Sequence, residues 1–199
     1  MTLFECFENL YGAMRNHVRI GVLITVLALR AIGSASASAS EFTASATGSL
    51  TGRGTLSHTF KFSGGQVQCS TTAISGTISA TASTEQHITV NYSGCTAFGF
   101  ANTEISPATY NLTASGTYHI LNTITISVPA AFCKITISPQ TPGSVVFSNA
   151  GGGYVQAHYY VSGLSYTSTG GFCGSSGLGF YDGWTEMHRV GGGELHYDI

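Results

Sequence analysis

The chain has 199 residues, a formal net charge of −2 and 8% charged residues, whereas a typical soluble domain has about 25%. This sparse, slightly acidic charge excludes the basic surface that proteins use to bind phosphates and nucleic acids. Serine, threonine, glycine and asparagine must supply most of the polar surface. Such a composition suits an extracellular β-protein better than a cytosolic enzyme.

The N-terminal segment has the pattern of a secretory signal peptide. A basic stretch follows Met14, an apolar run covers positions 20–29, and alanines with Ala-x-Ala spacing precede position 40. The apolar run is about half the length of a bilayer-spanning helix, so a retained membrane anchor is the weaker interpretation. We expect residues 1–39 to form a signal-peptide helix, with 1–13 an over-extended start. Residues 40–199 are then one domain, secreted or at the cell surface, without a stable membrane span.

After this segment, the dominant pattern is the two-residue alternation of half-buried β-strands. In chain order, the candidate strands are FTASATGSLTG, TLSHTFKFS, GQVQCSTTAIS, QHITVNYSG, TYNLTASGTYHI, NTITISVP, FCKITIS, SVVFSN, YVQAHYYVSGLSYTS and GELHYDI. Clusters of Gly, Asn, Ser and Pro separate them, and no sustained helical repeat of apolar residues follows the signal peptide. The pattern predicts an all-β fold in the form of an antiparallel β-sandwich, with a barrel-like arrangement as the alternative.

Four cysteines remain after the signal peptide, and Cys6 is lost with it. In an exported chain they predict a disulfide framework, for which three connectivities are possible. We favour Cys69 with Cys95, which lie at the ends of two well-patterned strands, and Cys133 with Cys173, which would tie the C-terminal third to the centre. A zinc site is a weaker alternative because there is no Cys-x-x-Cys or His-x-x-x-His pair. The even count disfavours a free catalytic thiol.

Two segments resemble small exported proteins of actinobacteria and related high-GC bacteria. They are VQCSTTAISGT and VNYSGCTAFGF, and the resemblance covers positions 60–140. It implies a secreted, disulfide-linked bacterial β-domain from a group without an assigned function, and it offers no catalytic residues. Such relatives often carry extra cysteines before the CKITI strand, where this chain has SPATYNL and NTITISVP. This departure leaves the partner of Cys133 open.

The C-terminal tail, WTEMHRVGGGELHYDI, contains the one group of residues that suggests a chemical site. On a strand, Glu194, His196 and Asp198 would point to one side, and their carboxylate and imidazole groups could hold a divalent cation. Glu186 and His188 form a similar pair upstream. We favour instead an edge strand whose polar side faces solvent. We therefore predict no bound metal and no cofactor.

Aromatic residues concentrate in the last third of the chain. Exposed rings on a rigid sheet commonly hold sugars or partner surfaces, so we single out Tyr181 and Trp184 in the stretch GFYDGW as a candidate recognition patch. The sequence lacks a Gly-x-Ser-x-Gly elbow and a phosphate-binding loop. It favours a secreted non-catalytic binding or structural module whose partner is a cell-wall glycan or an envelope protein. The alternative is a secreted hydrolase that uses the tail carboxylates and His196.

Overall fold

The computed structural model describes residues 39–170 and 173–199, so almost all of the predicted signal peptide lies outside the described residues. The strands are β1 (Glu41–Ala44), β2 (Gly48–Gly54), β3 (His58–Phe62), β4 (Gly65–Ile78), β5 (Ala82–Ser83), β6 (Glu85–Ala97), β7 (Phe100–Ile105), β8 (Ala108–Thr113), β9 (Thr117–Ile120), β10 (Ile124–Val128), β11 (Cys133–Ile137), β12 (Gln140–Ala150), β13 (Tyr154–Thr169), β14 (Gly177–Arg189) and β15 (Leu195–Asp198). One 3₁₀ turn, Pro129–Ala131, joins β10 to β11. None of the helical segments that the structure describes is long and apolar enough to span a membrane. The predicted all-β fold is confirmed.

The main sheet closes on itself through antiparallel pairing. Four long strands, β4, β6, β13 and β14, run along its length, with β4 paired to β6 and β13 paired to β14. These four strands belong to two closed circuits of paired strands. At one end of the sheet the circuit is completed by β8, β9, β12 and β2, and at the other end it is completed by β7, β10, β11 and β3. Each circuit therefore contains eight strands and leaves no unpaired edge, which is the barrel-like form of the predicted architecture.

The core fills the inside of this closed sheet because apolar residues occupy alternate positions on its strands. In β8, for example, Ala108, Tyr110 and Leu112 are buried, while the residues between them are half-buried. The same alternation appears in β10, where Ile124 and Ile126 are fully buried. Each large apolar side chain buried in this way stabilises the fold by about 1.5–3 kcal/mol.

Both predicted disulfides are present. Cys69 on β4 lies directly opposite Cys95 on β6, with their Cα atoms 3.9 Å apart. Cys133, the first residue of β11, is bonded to Cys173 in the segment before β14, with a Cα–Cα distance of 5.2 Å. All four cysteines are buried. Two buried disulfides are typical of proteins that fold in an oxidising environment.

A second, three-stranded sheet brings the first and last described strands together. Strand β1 lies between β15 and β5, and Glu41 is opposite Asp198. On the other side of β15, the side-chain amide of Asn149 donates to the Tyr197 carbonyl at 2.8 Å, and its oxygen accepts from the Tyr197 amide at 2.7 Å. Asn149 therefore satisfies backbone groups on the edge of β15 in place of a further strand.

Strand β14 is the main element that the sequence pattern does not predict, because glycines interrupt it. Two of these glycines are required by their neighbours. A Cβ atom on Gly183 would lie 2.4 Å from Nδ1 of His58, and one on Gly179 would lie 2.7 Å from the carbonyl oxygen of Lys61. The stretch GFYDGW is therefore part of a long strand, and its glycines provide space for neighbouring groups.

Candidate binding face

The structure separates the two residues of the predicted recognition patch. Tyr181 is only 2% exposed and points into the core, so its assignment to a surface patch is wrong. Trp184 is half-buried and lies on the outside of the closed sheet. The reason is the two-residue period of a strand, which places positions three apart on opposite faces. Of the predicted pair, only Trp184 remains available to a ligand.

Trp184 belongs to a row of rings on the outer surface of β13 and β14, which we call the aromatic face. Its members are Tyr154, His158, Tyr160, Phe180, Trp184 and His188. At its centre, His158 and Trp184 are opposite each other on the two strands. Their rings are stacked, with centroids 4.1 Å apart and an interplanar angle of 11°. This stacking fixes the orientation of the indole ring.

Two further ring pairs flank the central one. Tyr160 and Phe180 meet edge to face with centroids 4.8 Å apart, and Tyr160 is 61% exposed. On the other side, Tyr154 and His188 lie 4.6 Å apart at an angle of 51°. The rings therefore hold one another in place across two paired strands, and the aromatic face is a rigid platform rather than a set of independent side chains.

Polar groups between the rings carry balanced charge. Asp182 accepts a hydrogen bond from Nε2 of His158 at 3.1 Å. Glu186 accepts one from the Gln156 amide at 3.2 Å and lies 3.8 Å from the guanidinium of Arg53. The ammonium of Lys61 lies 5.6 Å from the centroid of the Phe180 ring. Two carboxylates and two cations cancel, so the face has no net formal charge when its histidines are neutral.

A pocket of about 300 Å³ lies at one end of the aromatic face. Its lining residues are Thr51, Gly52, Arg53, Tyr154, Glu186 and His188. The pocket thus combines an aromatic wall with a cation, a carboxylate and hydroxyl groups. The upstream pair Glu186 and His188, noted in the sequence as a possible cation site, belongs to this pocket, and in the described part of the chain no three metal-binding side chains come together.

A buried chain of hydrogen bonds supports β14 from the inside. Nε2 of His58 lies 3.2 Å from the carbonyl oxygen of Trp184, which can only accept, so His58 donates there and its Nδ1 accepts from the Tyr181 hydroxyl at 2.6 Å. Tyr181 then accepts from the Tyr92 hydroxyl at 3.1 Å, and Tyr92 accepts from Tyr110 at 2.8 Å. This series of hydrogen bonds ends at the backbone of Trp184 and fixes β14 beneath the aromatic face.

This buried chain is uncharged at neutral pH. Burial lowers the pKa of His58 to about 4, although its bond to the Trp184 carbonyl and the nearby Asp182 act in the opposite direction. Burial raises the pKa of Tyr110 to about 12, and it raises the pKa values of Tyr92 and Tyr181 as well. Neutral groups of this kind contribute position and rigidity rather than acid–base chemistry.

The predicted tail cluster is divided. Oε2 of Glu194 lies 3.3 Å from Nε2 of His196, whereas the Asp198 carboxylate accepts a hydrogen bond from Thr43 at 2.6 Å. Leu195 is buried, as expected for the inner side of β15. In the part of the chain that the structure describes, these three polar residues do not form a group that could hold a metal ion together.

Sequence reasoning missed most of the aromatic face. The alternation in QAHYY and YDGWTEMH could have revealed it. This alternation places His158 and Tyr160 on one side of β13, and it places Asp182, Trp184 and Glu186 on one side of β14. Using it would have required the recognition of β14 as a strand.

No protein-family model, curated protein or solved structure matches this chain.

Proposed function

We propose that this protein is an exported, non-catalytic module that binds a glycan of the cell envelope through its aromatic face. The observation that carries the proposal is the central pair of stacked rings, His158 and Trp184, with a carboxylate two residues away on either side of Trp184. Sugar rings offer apolar faces that pack on aromatic rings and hydroxyl groups that bond to carboxylates. Both kinds of group are present on one rigid surface.

Export is part of this proposal, and three features support it. The N-terminal pattern is that of a signal peptide. The domain holds two buried disulfides, which suit an oxidising compartment. Strand β1 begins at Glu41, directly after the predicted cleavage region, so removal of the leader would leave the described fold complete.

The hydrolase alternative has weaker support. It relied on the tail carboxylates and His196, but Asp198 is bonded to Thr43 rather than to the other two. The pKa values of the buried tyrosines are raised, and that of His58 is lowered, by burial beneath the surface. These buried tyrosines and His58 have altered pKa values, but a substrate at the surface would not reach them.

The test is a pull-down of the purified domain on insoluble polysaccharides, namely peptidoglycan, chitin and cellulose. We expect binding to at least one of them, and we expect Trp184→Ala to weaken it about tenfold or more, because a central aromatic residue typically contributes more than about 1.4 kcal/mol to binding. Circular dichroism and the melting temperature would confirm that the variant is folded.

The matched control is Phe132→Ala. Phe132 is 81% exposed, which makes it the most exposed aromatic residue among those that the structure describes, and it lies on the β10–β11 turn away from the aromatic face. Its removal should leave binding unchanged. Equal losses in the two variants would indicate nonspecific apolar adsorption, and a fully retained affinity in Trp184→Ala would refute the proposed face.

A further inference from the structure

We propose that the pocket at the end of the aromatic face selects glycan chains whose sugars carry N-acetyl groups. This inference rests on the proposed function and names its ligand class. The pocket of about 300 Å³ is continuous with the face through Tyr154 and Glu186. A single water molecule occupies about 30 Å³ of liquid volume, so the pocket has room for a small substituent.

The charges of the pocket favour a neutral substituent. Arg53 and Glu186 line it together, with the guanidinium and the carboxylate 3.8 Å apart. An anionic group that approached Arg53 would be repelled by Glu186, and a cationic group that approached Glu186 would be repelled by Arg53. A neutral group that offers both a donor and an acceptor can satisfy both side chains at once.

An acetamido group has this combination. Its N–H can donate to the Glu186 carboxylate, its carbonyl oxygen can accept from the Arg53 guanidinium, and its methyl group can pack against the Tyr154 ring. The side chain of Arg53 is 80% exposed and that of Glu186 is 23% exposed, so the cation can move to the ligand while the carboxylate stays in place. A plain hydroxyl group would fill less of the space and make fewer of these contacts.

The pocket also lies at the right distance from the proposed stacking site. Glu186 is two residues from Trp184 on the same side of β14, which corresponds to about 7 Å along a strand. A sugar ring packed on Trp184 therefore places a substituent, or the next ring of the chain, beside Glu186. Both sites can be occupied by one chain that runs along β14.

Calorimetric titration with three soluble ligands tests the inference. The ligands are oligomers of β-1,4-linked N-acetylglucosamine, of glucosamine and of glucose. We expect the wild-type protein to bind the N-acetylated oligomer about tenfold more tightly than the other two, which is the effect of about one good hydrogen bond. Arg53→Ala and Glu186→Gln should reduce this preference to about twofold or less, because each removes a group that would bond to the acetamido substituent.

Lys61→Ala is the matched control, since it removes the other cation of the same face, beside Phe180 and away from the pocket. It should keep the preference. Equal affinity for all three oligomers, tightest binding of the glucosamine oligomer, or an equal loss of preference in Arg53→Ala and Lys61→Ala would overturn the selection while leaving the aromatic face as a glycan site. If none of the oligomers and none of the polysaccharides binds, the proposed function fails as well.

Discussion

The buried imidazole of His58 should make the stability of the domain depend on pH in a defined direction. Its pKa is about 4 in the folded protein, against 6.5 for an ordinary histidine. As the pH falls through 6.5, the unfolded chain takes up a proton that the folded protein does not. The contribution of His58 to the free energy of unfolding is therefore complete above pH 6.5 and declines as the pH falls towards about 4. Below that pH it changes little.

The size of the effect follows from the same two values. Each pKa unit between the folded and unfolded states corresponds to about 1.4 kcal/mol, so His58 accounts for a loss of about 3 kcal/mol across this range. The folded domain as a whole is expected to have a free energy of unfolding of about 5–15 kcal/mol. The loss is a substantial part of this value and is measurable by denaturation.

The assay is urea denaturation of wild-type protein and His58→Gln at a series of pH values. Glutamine retains a neutral donor and acceptor but does not titrate, so the variant should lose the His58 contribution to the pH slope. His87→Gln provides the matched control for replacing a histidine by glutamine, because the side chain of His87 is 64% exposed. The three proteins are compared at each pH, so that the contributions they share cancel in the difference between variants.

Two results would refute the reasoning. One is a pH slope in His58→Gln that equals the wild-type slope over the whole range. The other is an NMR titration in which the His58 ring of the folded protein protonates near 6.5, which would mean that the ring is hydrated and the hydrogen bonds to Tyr181 and Trp184 are not maintained.

Two further predictions concern packing and covalent constraint. Gly183→Ala should destabilise the domain by about 1–3 kcal/mol, because the new methyl group would collide with the hydrogen-bonded His58 ring. The control is Gly177→Ala, which should be tolerated because its Cβ atom would meet nothing nearer than 4.0 Å. Equal denaturation midpoints for the two variants would contradict the prediction. Replacing both cysteines of the Cys69–Cys95 disulfide by alanine should cost about 3.5 kcal/mol from loop-closure entropy over 26 residues, and an unchanged denaturation midpoint would show that this crosslink is not stabilising.

Local patterns in the sequence predicted the strands and the disulfides, because both depend on short-range alternation and on a small number of cysteines. The position of Cys69 and Cys95 on patterned strands favoured their pairing among three possible connectivities, and the register of β4 with β6 places them directly opposite each other. Strand β14 was not predicted because Gly179 and Gly183 are determined by what packs against them, the backbone of Lys61 and the ring of His58. Such contacts between distant parts of the chain leave no local periodicity.

The aromatic face was missed for the same reason. Its members come from two strands, and their pairing is a matter of register. His158 is opposite Trp184 only because β13 and β14 align in one way, and a shift by one residue would turn Trp184 inward and Tyr181 outward. The sequence indicated which residue types concentrate in this region, whereas the choice between inside and outside required the strand boundaries.

The pairing of β1 with β15 has a consequence for how the chain acquires its fold. The ribosome delivers residues 41–44 early, whereas their partners in β15, residues 195–198, emerge only after some 150 further residues. Until then, β1 can pair only with the short strand β5, at residues 82–83. The three-stranded sheet, with β1 at its centre, is therefore complete only when the last described strand is present.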